Sequence, residues 1–552
     1  MISVDDKLVD LRRKEEEELA QVLAKKHGIT YLDLSRITVD LMALKIIPEA
    51  EARSNSMAII QSVGRKLQIA VTNPDRPGVI QILDELARKK FEVQLFMVSP
   101  TSLEKAFAKY KEIPRFEEIK VGIVDISKAK LELYGATLDS LASFKEAMSK
   151  AKEKDVRKAS DTLELLLAGT LGAEASDIHM EAEEKIAKIR LRIDGVLQDI
   201  VDIPTPLYQL LLSRIKLVSE LKLNIHDKAQ GGRFSLHTNI GEIEVRSSTL
   251  PGPYGESVVL RVLNPKTIGM KLEDLGIQPE TLEIIMEEIK KPNGMILTTG
   301  PTGSGKTTTL YAFLKKIYSS EMKIITIEDP IEYHIAGISQ TQVNQSQKYT
   351  FINGLKSILR QDPDVIMVGE IRDKETAEAA IHAALTGHLV FSTLHAKNSA
   401  GTILRLIDLG IKPNLISPSI NLAIAQRLVR KLCPKSKIKD KPTPKEMKII
   451  QEIIKTFPKK IKKPGLESLS VWRAKPCILC NNTGYKGRIG IFEAFLMNKE
   501  IEKIILRNPN EADIQKIADE QNILNIRQDG ILKILEGITS FEEVSRVIEL
   551  RA

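Results

Sequence analysis

The run GPTGSGKTTTLY at residues 300–311 has the spacing G-x-x-x-x-G-K-[ST]. Gly300, Gly303 and Gly305 let successive backbone N–H groups turn inward at the start of a helix, which makes a cradle for a phosphate chain. Gly300, Pro301, Thr302, Gly303, Ser304, Gly305, Lys306, Thr307 and Thr308 therefore read as a nucleotide-binding loop. Lys306 is placed to reach the β- and γ-phosphates and the Thr307 hydroxyl to ligate Mg²⁺, so ATP and Mg²⁺ are the implied cofactors. The flanks agree: the apolar run MILTT precedes the loop, and a predicted helix runs from Lys306 through Ile317.

Hydrolysis asks for more: an acidic group on the metal side, and another to orient or deprotonate the attacking water. IEDPIEY (327–333) ends a predicted strand with Glu328, Asp329 and Glu332, and DVIMVGEIRD (364–373) ends the next with Gly369 and Glu370. Ligands of open α/β sheets collect at the carboxyl ends of strands, where these acids fall. Asp329 and Asp373 read equally well as a surface acid or an N-cap. TGHLVFSTLHA (386–396) adds His388 and His395, seven residues apart around a third strand. This pair reads as contacting a phosphate or carrying its state to a neighbouring subunit.

These groups need a sheet to hold them. MILTT, KIITIE, VIMV and LVFSTL are apolar, β-branched runs alternating with helical stretches such as KETAEAAIHAALTG, the pattern of a parallel sheet covered on both faces. At 552 residues the chain exceeds one core, so three or four domains are expected. Residues 5–26 read as a helix stopped at Gly28; two short strands in 57–74 and an amphipathic helix from Gly78 complete a small α/β domain. Residues 119–160, charged and helix-prone, read as a partly helical linker. Segments 175–201 and 231–263 read as strands and turns of an α+β domain, and the tail from Asn498 as helical.

The composition, 43% hydrophobic and 28% charged, is that of a folded soluble protein. No run approaches the roughly 20 apolar residues of a membrane span, and the acidic N-terminal stretch lacks a signal-peptide core, so a cytosolic location is expected. The net charge of +8 is concentrated: residues 430–463 hold thirteen Lys or Arg against Asp440, Glu446 and Glu452, a local net of +10. That segment is either a solvated lysine-rich insertion or a surface for anionic lipid, nucleic acid or an acidic protein.

In order and spacing the boxes resemble those of the ATPases that drive type II secretion and type IV pilus assembly, the GspE/PilB branch of the secretion ATPases. IEDPIEY stands at the Asp box, RQDPDVIMVGEIRD at an atypical Walker B with Gly where Asp is usual, and TGHLVFSTLHA at the His box. ASDIHMEA, RLRIDGVL, STLPGPYGESVVLRVL, AQRLVRKLCP and GRIGIFEAF extend the resemblance over most of the chain. It implies a multidomain α/β protein: an N-terminal docking module (1–115), a linker (116–155), a PAS-like α+β domain (156–275), a RecA-like P-loop ATPase domain (276–430), a cysteine-containing lysine-rich insertion (431–485) and a C-terminal helical region (486–552).

The resemblance further implies that Glu332 activates water, that Glu370 acts on the Mg²⁺ side, and that Arg246 and Arg261 reach the γ-phosphate as arginine fingers. Guanidinium groups delivered by domain closure neutralise charge developing on the transferred phosphoryl group. Implied partners are five further copies in a homohexamer and an inner-membrane platform protein, with peripheral attachment at the inner face of the cytoplasmic membrane and no specific nucleic acid.

Two features depart from the pattern. Where relatives pair two CxxC motifs around zinc, this chain has CPKS, with Cys433 and Ser436, and CILC, with Cys477 and Cys480. Three thiolates without a nearby histidine leave Zn²⁺ to take water or an outside ligand in fourth place, the alternative being small buried cysteines in a degenerate knuckle. The N-terminal module has no Arg-Leu-Gly repeat of the kind that binds cyclic di-GMP. Two other functions compete with the motor: a RecA-like nucleic-acid translocase or DNA-uptake motor, and an ATP-binding scaffold. Only 4% aromatic residues, with Phe457 lacking aromatic neighbours in the lysine-rich stretch, disfavours the first. Intact Lys306, Glu332 and Glu370 disfavour the second.

Overall fold

The computed structural model describes residues 4–550 other than 35–36, 38, 45, 64–65, 89–90, 113–122, 126–140, 154–158, 239–240, 264–269, 462–468 and 508. Contacts divide the chain into two units, Met1–Ile119 and Lys120–Ala552.

In the first unit the helix Val4–His27 ends at Gly28, whose φ of 66° is the left-handed turn a helix-stopping glycine supplies. β1 (Thr30–Tyr31), β2 (Met57–Val63), β3 (Lys66–Val71) and β4 (Glu92–Met97) form a sheet in the order β1-β4-β3-β2, with β2 and β3 an antiparallel hairpin and the other pairs parallel. The helix Pro77–Arg88 is amphipathic and buries Val79, Ile82 and Leu86 in one core with Ile59, Ile69 and Val71 of the sheet.

The second unit opens with β5 (Ile123–Asp125), β6 (Asp177–Ala182), β7 (Ile186–Ile193), β8 (Val196–Pro204), β9 (Gln230–Thr238), β10 (Gly241–Leu250) and β11 (Ser257–Val262), in the order β5-β9-β10-β11-β6-β7-β8. Period-two alternation decides the faces: along β7, Ala187, Ile189, Leu191 and Ile193 point into the core, with Lys188, Arg190 and Arg192 on the other face. The expected linker is corrected where it is described. β5 adds to this sheet alongside β9, and the helix Leu141–Glu153 buries Phe144 and Met148, four residues apart on one helical face, in the same core. Residues 126–140 and 154–158 of that stretch lie outside the described residues.

The second sheet comprises β12 (Gly294–Thr299), β13 (Ile324–Glu328), β14 (Ser339–Gln342), β15 (Val365–Val368), β16 (Leu389–Leu394) and β17 (Ile420–Leu432), with a ribbon of β18 (Ile438–Asp440) and β19 (Val471–Arg473) set apart, and β20 (Tyr485–Leu496) returning to the edge. Its order is β14-β13-β15-β16-β12-β17-β20, and every pair is parallel except β17 with β20. β12, β13, β15 and β16 are buried at every position, as continuous apolar runs require when helices cover both faces. β20 corrects the expectation that the helical tail begins at 486. GRIGIFEAF is the last strand, so the cysteine-bearing insertion is an excursion between two neighbouring strands. Within it the helix Pro444–Lys455, capped by Thr443 and Glu446, buries Ile449, Ile450, Ile453 and Ile454 in one core with Ile531, Ile534 and Val544 of the tail. Arg473 clamps the Glu446 carboxylate with two N–H donors, each at 2.7 Å. No helix among the described residues is long and apolar enough to cross a membrane.

Candidate active site

The carboxyl ends of β12, β13, β15 and β16 lie side by side, and the phosphate loop springs from the first of them. Gly305 caps the following helix, Lys306–Ile317, at φ 90°, a conformation L side chains rarely adopt. At Gly300 space decides: a Cβ would sit 2.5 Å from the Gln426 carbonyl oxygen of β17. Lys306 Nζ donates to the carbonyls of Gly300 at 2.9 Å and Pro301 at 3.2 Å, so the ammonium lies along its own loop. Burial lowers the Lys306 pKa, with Glu370 acting in the opposite direction.

The loop faces a cleft of about 530 Å³ bordered by Thr302, Gly303, Gly305, Lys306, Thr307 and Thr308 on one side. Glu328, Asp329, Glu332, Tyr333, Glu370, Arg372, His395 and the arginines Arg246 and Arg261 also border it. Thr307 and Glu370 open onto this one cleft, as a shared cation requires. At Gly369, just past β15, a Cβ would lie 3.2 Å from the Ile327 carbonyl oxygen and 3.3 Å from the Glu328 Cα, so a larger residue would make the neighbouring backbone give by a few tenths of an ångström. Glu370 is held by Arg372, which also approaches Asp329 at 3.6 Å, and His395 Nε2 stands 3.7 Å from its second oxygen. Burial and then the Lys306 charge lower the His395 pKa, favouring the neutral ring. Arg372 escaped the sequence reading although it stands two residues from Glu370, because the ion pair is made only after the strand ends.

Arg246 and Arg261 are directly opposite on β10 and β11, so both point from the same face of the first sheet. Arg246 Nη1 meets Glu332 Oε2 at 3.0 Å, its Nη2 donates to the Ile331 carbonyl at 2.7 Å, and its Nε reaches Glu244 at 3.1 Å. Arg261 is more exposed and is anchored at the base by Nε to Asp177 Oδ1 at 2.9 Å. Asp177 is buried and also takes the Ser176 hydroxyl at 2.8 Å.

His388 is the correction. It precedes β16 while His395 follows it, and six residues of strand separate the two edges by about 20 Å. His388 approaches the Ala383 carbonyl through Nδ1 at 3.1 Å and borders a different cleft with Lys290, Lys316 and Asp364, at the amino ends of the strands. It contributes nothing to the nucleotide cleft of its own chain. Asp373 is an N-cap, accepting the Thr376 N–H at 2.8 Å.

Cys433, Cys477 and Cys480 converge as the spacing suggested, with their sulfurs all within 4.8 Å of one another. Backbone N–H groups of Cys477 and Gly484 point at the Cys480 sulfur at 3.3 and 3.2 Å, and the Ser436 hydroxyl lies against the Cys477 thiol and lowers its pKa.

A glycine loop at the carboxyl edge of a parallel sheet, faced by glutamates and by arginines of a neighbouring sheet, defines a RecA-like P-loop ATPase. Residues 152–546 match the family described as Type II/IV secretion system protein, and residues 27–116 match the MshEN domain. The chain belongs to the Type II/IV secretion system protein family and is an ATP-hydrolysing enzyme. It is 40% identical over 520 residues to the Type II secretion system protein E of Aeromonas hydrophila, covering 92% of this chain and 97% of that protein. It is 33% identical over 536 residues to the type IV pilus assembly ATPase PilB of Myxococcus xanthus, covering 96% and 91%. The structure of the Yersinia pseudotuberculosis ATPase DotB shares the fold, with a TM-score of 0.50 at 20% identity over 69% of this chain and 91% of that one. The resemblance drawn from the sequence boxes is borne out.

Proposed function

We propose that this chain is a homohexameric motor that couples ATP hydrolysis to type IV pilus assembly or type II secretion. It docks through the N-terminal module, residues 1–115, on a platform protein at the inner face of the cytoplasmic membrane. The observation that supports this best is the bridge from Arg246 to Glu332 and Ile331: the arginine of one domain grips the acid of another across the nucleotide cleft, so whatever occupies the cleft moves the two domains together or apart. Glu332 takes the proton of the attacking water, Lys306 holds the phosphate chain, and Arg246 and Arg261 neutralise charge gathering on the γ-phosphoryl group. Thr307 and Glu370 would hold Mg²⁺, which supplies further neutralisation when bound.

Arg246→Ala tests the reading. Turnover should fall roughly 10- to 100-fold, because Arg261 still serves the phosphate, while ATP affinity stays within about twofold. An unchanged rate would remove Arg246 from the chemistry. Stimulation of turnover by single-stranded DNA would replace the motor reading with the translocase.

The three cysteines support a structural Zn²⁺ site. Cys433, Cys477 and Cys480 supply three thiolates, and the Ser436 Oγ beside Cys477 puts a polar atom at the fourth position. Bound there, zinc would tie the two knuckles together and contribute to the stability of the insertion. Elemental analysis should find about one zinc per chain, lost in Cys480→Ala together with several degrees of melting temperature. Absence of zinc in protein purified without chelator would assign the cluster to plain buried thiols.

A further inference from the structure

Tyr311 lies on the helix whose first turn grips the phosphates, five residues beyond Lys306, and its side chain is fully buried. Its hydroxyl donates to Glu328 Oε2 and accepts the backbone N–H of Glu332 at 3.4 Å. Its ring meets that of Tyr333 edge-on, with centroids 4.6 Å apart at 88°. The residue proposed to activate water is therefore bracketed by one side chain, which touches its own amide and the ring of the next residue.

Glu328 makes the bracket rigid. It is 2% exposed, and every neighbour that hydrogen-bonds to it is a donor: Thr326 Oγ1 and Gln340 Nε2 to one oxygen, at 2.5 and 3.1 Å, and the Tyr311 hydroxyl to the other. Among the described residues no Lys or Arg pairs with it, so these donors are what satisfies the carboxyl group. Burial pushes the Glu328 pKa up, and Glu332 adds in the same direction. Although it lines the cleft, Glu328 has three of its acceptor sites committed to internal donors. Its geometry serves to fix the phenol of Tyr311, and Gln340 extends the brace by donating to the Tyr333 carbonyl at 3.1 Å.

We propose that Tyr311 and Glu328 are a positioning pair that passes the grip of the phosphate loop to the backbone of Glu332, setting where its carboxylate stands when the triphosphate is held. The pair acts through the backbone of Glu332 and needs no contact with water or phosphate. The inference rests on Glu332 being the base, and displacement of a catalytic group by about 1 Å is worth about 100-fold in rate.

The test compares Tyr311→Phe, Glu328→Gln, the double variant and Glu332→Gln, measuring kcat, KM for ATP, and melting temperature with and without a non-hydrolysable ATP analogue. Phe keeps the ring contact with Tyr333, and Gln keeps the volume of Glu328 while presenting an N–H to the phenol that needs an acceptor. Each single variant should lose about tenfold or more in kcat with KM within about twofold, and the double should fall no further than the worse single, since both act through one loop. Three results overturn the pairing: single variants within twofold of wild-type kcat, KM rising in step with the loss of kcat, or losses that multiply in the double. Should Tyr311→Phe not fold, Glu328→Gln alone decides by the same split of kcat against KM. If Glu332→Gln retains full turnover, the base assignment has failed; if it is inactive while the other variants are normal, only the pairing has.

Discussion

Glu332→Gln is expected to bind ATP as the wild type does and to hydrolyse it about 10³-fold more slowly. General-base removal is worth about 10²–10⁴-fold, and glutamine keeps the size of the side chain and an oxygen for Arg246 Nη1 while removing the charge that accepts a proton. Three glutamates border the cleft closely enough to compete for the assignment, and their partners separate them. Glu328 is buried and spent on internal donors. Glu370 is paired with Arg372 and faces His395, so its carboxylate is already engaged by cationic and ring partners. Glu332 is partly exposed and its ion pair is with an arginine of the neighbouring sheet. Equilibrium binding of a fluorescent ATP analogue with single-turnover hydrolysis checks the split. Normal hydrolysis by the variant would move the base to Glu370, whose own glutamine variant would then be the inactive one.

What was legible in the sequence followed how local the determinant is. The phosphate loop is a continuous string between a strand and a helix, and four all-apolar runs announced the interior of the sheet around it, so loop and strands were read directly. Glu332, Glu370 and His395 were reached because strand ends share an edge. His388 was misplaced by the same reasoning carried one step too far: two residues flanking a six-residue strand must lie at opposite edges, an inference that strand rise alone would have supplied. Pairings between distant segments left no comparable mark. β20 joins β17 across an insertion of about fifty residues, and its run GRIGIFEAF carries no more strand signal than many core helices. Residues 119–160 were read as helix-prone, but charged residues hid that the helix holding Phe144 and Met148 packs into a core. Tyr311 looked like one more apolar residue of the loop helix, because its function depends on a carboxylate seventeen residues away.

Lys306→Ala should differ from the glutamine variant in kind, losing affinity and turnover together. The ammonium lies on the Gly300 and Pro301 carbonyls, which fixes a charge inside the curve where backbone N–H groups converge. A phosphate chain held by that curve meets the charge in the ground state and again as the γ-phosphoryl group departs, so both binding and the barrier depend on it. Burial already disfavours the charged form, and a tetraanionic ligand would restore it, which makes the lysine's interaction with phosphate stronger than a solvated one would be. We expect ATP affinity to fall more than about tenfold and kcat by about 10³-fold, on the scale that a charge-stabilising group in a water-excluded site contributes. Among the described residues its only protein hydrogen bonds are to the carbonyls of Gly300 and Pro301, so the melting temperature of the protein should change little. Titration with the fluorescent analogue at fixed Mg²⁺ and salt separates the outcomes: wild-type affinity in the alanine variant would mean that the triphosphate is held somewhere other than this loop.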